Sequence, residues 1–422
     1  LNQRLTEGLY LEVLPITGTT EAPVLGGEGA AIEYVLKMRQ FPQSQLLSTL
    51  QANGELNAAH IDEMAQQIAR FHAHAPHVPL EHYQGTPEAV MDPVIQNFEQ
   101  IRPFLSDKAD LQQLDALQAW AQASFERLKP LLMKRKAEGF IRECHGDIHL
   151  GNATLIDGKV VIFDCIEFNE PFRFTDVYAD AAFLAMDLED RGLKSLARRF
   201  VSQYLELTED YEGLELLNFY KAYRALVRAK VSLFSMPAEA SPVQRAATLR
   251  QYRNYANLAE SYSTIPSRFL AITHGVSAVG KSSVSMRLVE SLGAIRIRSD
   301  VVRKKLFGNQ QSENAEGAGI YNAEASDVTY TKLHELAGIV LRAGFPVVLD
   351  ATYLKRAQRD AAAKVAEATG VPCLILDCTA PDAVIEGWLA HRRALGTDPS
   401  DATLEVVKAQ QASREPLGAD EI

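Results

Sequence analysis

The chain of 422 residues is poor in cysteine, with four, and in tryptophan, with two. Cys144, Cys165, Cys373 and Cys378 show no Cys-x-x-Cys spacing and fall in apolar runs. That excludes a disulfide framework and a zinc cluster, and predicts small, reduced core residues of a cytoplasmic protein. Long apolar runs are missing too: no stretch approaches the roughly 18 residues that would span a bilayer, and no secretory leader pattern opens the chain. Positive charge is in deficit, with 43 Lys and Arg against 54 Asp and Glu and a formal net charge of -11. General affinity for nucleic acid or for an anionic membrane is therefore not expected. At 47% hydrophobic and 23% charged residues, the composition is that of a globular protein too long for one ordinary core, so two domains are expected. The segment Leu1–Glu7 reads as the end of a helix already under way, and Arg414–Ile422 stops in mid-pattern. These ends predict an internal piece of a longer reading frame.

What the sequence does hold is a phosphate-binding loop. Residues 275–282 read Gly275-Val276-Ser277-Ala278-Val279-Gly280-Lys281-Ser282, with Ser283 next. A strand pattern, Arg268–Thr273, precedes the loop, and a helix pattern, Lys281–Leu292, follows it. The chemistry needs both flanks: the backbone N–H groups of the turn surround an anion, and the helix adds the positive end of its dipole. Lys281 can reach the outer phosphates of ATP, and Ser282 can ligate Mg²⁺.

From Pro266 onward strands and helices alternate, with strands also at Ala294–Arg298, Pro346–Asp350 and Cys373–Cys378. Such alternation predicts a parallel sheet wrapped by helices. Ligands of such sheets bind at the carboxyl ends of the strands. Asp300 and Arg303 follow the second strand directly, placed for an acceptor hydroxyl and an anionic group. Asp350 ends a strand beside the loop, as a partner of the Mg²⁺ that Ser282 would hold. Arg392 and Arg393, on the helix Asp382–Leu395, are placed as lid arginines that neutralise charge in the transition state.

A second constellation lies upstream. In His145-Gly146-Asp147-Ile148-His149-Leu150-Gly151-Asn152, an Asn follows Asp147 by five positions, and Asp164 comes twelve residues later. Phosphoryl transfer to an alcohol needs a carboxylate to orient the hydroxyl and hard oxygen ligands for Mg²⁺ on the ATP phosphates. Asp147 fits the first role, Asn152 and Asp164 the second. Asp157-Gly158 predicts a two-residue hairpin between Ala153–Ile156 and Lys159–Asp164 that brings Asp164 back beside Asn152. Lys221, Arg224 and Arg228, with Lys230 near them, form a basic stripe at helical spacing. Two readings stay open for it: a solvated helix surface, or a contact with an anionic substrate or with the neighbouring module.

The upstream string resembles the aminoglycoside phosphotransferase and choline kinase family, whose catalytic loop is written HGDxHxxN. Asp176 and Asp180 resemble that family's structural aspartates. The resemblance implies a protein-kinase-like fold over residues 1–262, with a small-lobe remnant over 1–41 and a helical large lobe over 42–262. The small lobe departs from the family's pattern. Leu9–Ile16 and Ile32–Met38 look like its last two strands, and part of the ATP clamp is expected to be missing. Lys37 tempts as the phosphate lysine, but no helix separates it from the hinge at Met38–Phe41.

Residues 267–422 resemble the small P-loop kinases that include polynucleotide kinase, gluconate kinase and zeta-toxin-like proteins. This implies a P-loop NTPase three-layer α/β/α domain, usually with a fifth parallel strand after the lid. The order of the two modules is similar to that of bacterial bifunctional aminoglycoside phosphotransferase-like/ATP-binding proteins. The expectation is thus an α/β multidomain kinase using ATP and Mg²⁺ on a small-molecule hydroxyl, its two modules in contact. The alternatives are a regulatory ATP-binding protein with one degenerate module, and a kinase of nucleic-acid or nucleotide 5′-hydroxyl groups.

Overall fold

A computed structural model describes residues 1–6, 8–308, 323–395 and 403–421, with residues 391–395 described by their backbone alone. The strands are β1 (Tyr10–Gly18), β2 (Pro23–Leu25), β3 (Glu33–Met38), β4 (Ile141–Glu143), β5 (Ala153–Ile156), β6 (Lys159–Ile162), β7 (Phe174–Asp176), β8 (Leu270–His274), β9 (Ile295–Arg298), β10 (Val347–Asp350) and β11 (Cys373–Asp377). The helices of the first half are α1 (Leu47–Ala52), α2 (Ala58–His74), α3 (Pro87–Ile101), α4 (Lys108–Ala137), α5 (Glu170–Arg173), α6 (Val177–Asp190) and α7 (Lys194–Thr208). Those of the second half are α8 (Leu217–Phe234), α9 (Pro242–Ser261), α10 (Lys281–Leu292), α11 (Ser299–Phe307), α12 (Ala323–Arg342), α13 (Arg356–Ala368), α14 (Asp382–Leu395) and α15 (Leu404–Ser413). The chain divides into two compact units, one of Leu1–Gly192 with Leu217–Glu260, the other of Leu193–Leu216 with Ser261–Ile422. None of the described helices is long and apolar enough to cross a membrane.

The first unit opens on an antiparallel sheet of order β2-β1-β3. Its side chains are largely exposed, Val13 and Tyr34 among them. Helices follow. Asn57 caps α2 by accepting from the N–H groups of Ala59 and His60, and Ile61, Met64, Ile68 and Phe71 then recur on one face and are buried. Helix α6 is buried at every position from Val177 to Leu188, its Asp180 and Asp187 included, both of which are hydrogen-bonded. Asp157 and Gly158 both take positive φ, 52° and 76°, which the tight β5–β6 turn requires. That hairpin forms in the expected register.

The second unit is built on a parallel sheet of order β11-β8-β10-β9. Strands β8 and β10 are buried along their whole length, as continuous apolar strands covered on both faces are. The structure thus has the α/β architecture expected from the sequence. Two differences stand out. Helix α15 was not anticipated. And Leu193–Leu216, placed by the sequence in the first module, packs with the second unit. Its α7 buries Ala197, Phe200 and Tyr204. Its polar side accepts the Arg296 N–H at Ser202 Oγ (3.1 Å) and pairs Arg199 with Glu290 (2.8 Å) and Glu206 with Arg298. An amphipathic period announces a helix but does not name the surface it covers.

Candidate active site

The upstream loop is held from beneath. The Asp180 carboxylate is fully buried and accepts the N–H groups of His145 and Gly146, each at 2.8 Å. His72 Nε2 lies 3.3 Å from the same carboxylate. Asp176 binds the buried Arg135 through two bonds of 2.7 and 2.9 Å and caps α6. Asp187, which no motif or spacing singles out, accepts the Leu150 N–H at 3.0 Å. Gly146 has φ of 89°, and a Cβ there would stand 2.9 Å from the Phe172 carbonyl oxygen, so the turn admits only glycine.

The loop's side chains then fall into order. His145 Nδ1 accepts the Asp147 N–H (3.2 Å), which puts its proton on Nε2, donated to the Phe163 carbonyl (2.9 Å). Burial pushes this imidazole below its ordinary pKa, so it stays neutral. Asn152 donates through Nδ2 to both the backbone oxygen and Oδ2 of Asp147, at 3.0 Å each. His149 accepts the Gly151 N–H at Nδ1 (3.0 Å), leaving its Nε2 3.4 Å from Asp147 Oδ2. Burial alone would raise the Asp147 carboxyl. The His149 contact, with the positive field of His149 and Arg224, outweighs it and holds the group below its ordinary range.

Asp164 takes a left-handed φ of 62°, and its N–H donates to the Tyr10 hydroxyl at 2.8 Å. The hairpin return is closed by Phe163 N–H donating to the Asn152 carbonyl at 2.9 Å. Asp147 and Asp164 line one cavity of 340 Å³, with Asn97 from α3, Glu167, and Arg224 and Lys230 from α8. Asn2 anchors this rim by donating to Glu167 Oε1 (2.5 Å) and accepting the Cys165 N–H (2.7 Å). The solvated-surface reading of the basic stripe does not hold for Lys221 and Arg224, both of which are buried. Lys37 pairs across the exposed small sheet with Glu12 at 2.6 Å. His72, Cys144 and Asp180 bring ligand atoms within 4.8 Å of one another, but both Asp180 oxygens already serve the His145 loop.

The second constellation sits where β8 ends. Gly275 has φ of 140°, and a Cβ would lie 2.3 Å from the Cys378 carbonyl oxygen. Ala278 (φ 62°) and Gly280 (φ 86°) complete the curl before α10 begins at Lys281. Val276 and Val279 pack inward with Cys378, Ile385 and Leu389. Lys281 Nζ donates to the Val276 carbonyl at 2.6 Å, and the Ser277 N–H donates to Gln410 Oε1 of α15 at 2.7 Å. Ser282 and Ser283 are exposed at the helix start. Asp350 is buried and accepts from Ser285 Oγ at 3.0 Å, one turn beyond Ser282. Asp300 and Arg303 lie on α11, and both act electrostatically on the buried Tyr330 phenol, which burial raises. Arg392 and Arg393 fall on α14, but their side chains lie outside the described residues.

Comparison with known proteins assigns both halves. The model of the phosphotransferase enzyme family matches residues 15–217, and that of an AAA domain matches residues 270–417. The chain joins a phosphotransferase-family domain to an AAA domain. Uncharacterized proteins of Mycobacterium tuberculosis (strain H37Rv) and of Mycobacterium bovis are each 29% identical to it over 420 residues, 98% of this chain and 80% of theirs. Among solved structures, a choline kinase from Cryptosporidium parvum Iowa II aligns at 13% identity over 54% of this chain and 71% of its own, with a TM-score of 0.38. A sugar kinase from Janibacter sp. HTCC2649 aligns at 21% identity over 37% of this chain and 82% of its own, with a TM-score of 0.28. The His145–Asn152 motif lies inside the phosphotransferase-family match, and residues 275–282 inside the AAA match.

Proposed function

We propose that the chain is an ATP- and Mg²⁺-dependent phosphotransferase acting on a small-molecule hydroxyl, with its AAA domain a second kinase station that binds ATP. The observation that carries this reading is Asp147: ionised, tethered by Asn152 and His149, and set on the wall of a 340 Å³ cavity. A carboxylate held below its usual pKa is a weak base, which suits a loose phosphoryl transition state that needs the hydroxyl oriented more than deprotonated. The acceptor oxygen bonds to the γ-phosphorus, the bond to the ADP oxygen breaks, and the hydroxyl proton passes to Asp147.

The donors suit Mg²⁺. Asp164 presents a carboxylate on the cavity lining with no cationic partner among the described residues, and Asn152, buried and tied to Asp147 but not among the lining residues, would add a hard amide oxygen. When bound, the ion screens the phosphate charge and polarises the γ-phosphoryl group. In the AAA domain, Gly275 to Ser283 would gather the phosphates, with Lys281 on the outer ones. Ser282 and Asp350 would hold the ion there. The Lys281 ammonium and the Ser277 N–H rest on oxygens of the chain itself, the kind of acceptor a phosphate replaces. Asp300 would receive the second acceptor, with Arg303, Arg392 and Arg393 neutralising charge.

The test is ADP release from Mg·ATP that requires an added hydroxyl compound. Asp147→Asn should remove the part due to the first station and Asp300→Asn the part due to the second. Turnover unchanged in both variants refutes the reading. Tight ATP binding with no acceptor in a broad metabolite screen would leave a regulatory nucleotide-binding protein in its place.

A further inference from the structure

The cavity beside Asp147 carries charge of both signs. Its lining includes the carboxylates of Asp147, Asp164 and Glu167. It also includes Asn97 from α3 and two cationic residues of α8, Arg224 and Lys230. These three side chains lack what buried polar groups normally have. Asn97 is 1% exposed, and neither its Oδ1 nor its Nδ2 has a hydrogen-bond partner. Arg224 is 6% exposed and its Nε has no hydrogen-bond partner; its field reaches Asp147 and Asp180, but among the described residues no carboxylate forms an ion pair with it. Its guanidinium is packed against rings, 4.8 Å from the Phe183 centroid and 5.3 Å from that of Tyr223. Lys230, half-buried in the same lining, also has no carboxylate partner among the described residues.

The contrast on the same helix is informative. Lys221, buried to a similar degree, meets Glu189 at 3.1 and 3.2 Å. The fold therefore supplies counter-charges on α8 where a cation serves structure. Burying a guanidinium Nε–H and a carboxamide with no hydrogen-bond partner costs free energy that a well-packed wall does not otherwise tolerate. An acceptor-rich, negatively charged group entering from the cavity would supply the missing partner. Two donors with fixed planar geometry and one ammonium match a carboxylate or phosphate. A cationic ligand would be set against Arg224. The volume of 340 Å³ suits a compound of roughly sugar size.

We propose that the acceptor of this station carries an anionic group, a carboxylate or a phosphate, bound by Arg224, Lys230 and Asn97, alongside the hydroxyl that faces Asp147. This rests on the phosphotransferase reading above and narrows its substrate class. The acceptor's charged group lies on Arg224, Lys230 and Asn97, and its hydroxyl on Asp147.

The test uses the full chain saturated with Mg²⁺ and a non-hydrolysable ATP analogue, so that the phosphate loop is filled. Four probes of one carbon skeleton are titrated by calorimetry: sorbitol (neutral), glucamine (cationic), gluconate (carboxylate) and the terminal phosphate monoester of sorbitol. At least one anionic probe should bind roughly tenfold or more tightly than sorbitol, the scale of charge-assisted hydrogen bonds, with glucamine weakest. Whichever of the two anions binds more tightly identifies the group. Arg224→Gln should erase the preference, and Lys230→Gln should reduce it severalfold. Lys230 is half-buried and unpaired, so its variant keeps the test valid should Arg224→Gln not fold. Asp147→Asn should keep the preference.

The inference is overturned if no anionic probe binds more tightly than sorbitol, or if neither α8 variant weakens it. The two readings fail separately. Absence of any Asp147-dependent transfer sinks the phosphotransferase reading while the affinity order still decides this one. Equal phosphorylation of the neutral polyol and the acid leaves the phosphotransferase and removes the anionic acceptor.

Discussion

Replacing Asp180 tests how the His145–Asn152 loop is held. Its carboxylate is fully buried and takes two backbone N–H bonds of 2.8 Å, from His145 and Gly146. Asp180→Ala strands two buried amides and removes the counter-charge facing His72 (3.3 Å). Charge-assisted bonds contribute about 1.5–3 kcal/mol each, and breaking a buried charged network costs about 3–5 kcal/mol, so a loss near 4 kcal/mol is expected. Asp180→Asn keeps one acceptor oxygen and should lose about half of that. The two units need separate readouts, which Trp120 in α4 and Trp388 in α14 provide. With Trp388 replaced by Phe, urea titration followed at Trp120 should show the first unit's midpoint fall by at least about 1 M. The second unit, followed at Trp388 with Trp120 replaced, should not move.

The pH dependence has a definite sign. Burial alone would raise the Asp180 carboxyl. Its contact with His72 and the fields of His72 and Arg224 outweigh burial and hold it below the ordinary 3.8. The stabilisation is therefore complete above the unfolded pKa and is lost as pH falls through the folded one. Asp180→Asn should remove that part of the acid sensitivity. An alanine variant within about 0.5 kcal/mol of the parent refutes the reasoning.

Three further outcomes follow from the second unit. Gly275→Ala sets a Cβ 2.3 Å from the Cys378 carbonyl oxygen at a φ of 140°, and should cost at least about 2 kcal/mol and abolish binding of a fluorescent ATP analogue. Gln410→Ala removes the acceptor that occupies the Ser277 N–H at 2.7 Å. It should tighten that analogue roughly two- to tenfold, and weaker binding would contradict a self-capped loop. Burial lowers His334 from 6.5 to about 4. The unfolded chain thus takes up this proton first, and the second unit should lose up to about 3 kcal/mol as pH drops through that window. His334→Gln should flatten this part of the Trp388-monitored stability profile.

What the sequence disclosed was chemistry packed into short spans. Gly275 to Ser282 and His145 to Asn152 each place their groups within one turn, so spacing alone specifies who meets whom, and Asp157-Gly158 carries Asp164 back by its own backbone preference. Partners distant in the chain left no such trace. Tyr10 meets Asp164 across 154 residues and Asp187 meets Leu150 across 37, and neither carries a local signal. Asn97 reads as an ordinary polar position of a helix until α8 packs beside it. The basic stripe was visible at its helical spacing. Whether Arg224 faced water or a cavity depended on α6, whose Phe183 stacks on it. Asp350 shows the same limit at finer scale, since strand order put it near α10 but its bond goes to Ser285 and not to Ser282.

The most direct measurement of the central claim is a single-turnover quench of γ-labelled ATP with a confirmed acceptor, comparing the parent chain with Asp147→Asn. The expected result is a fall of about 10²–10⁴ in the rate at which label reaches the acceptor, with ATP affinity unchanged. Label transferred at the parent rate in Asp147→Asn would contradict the account.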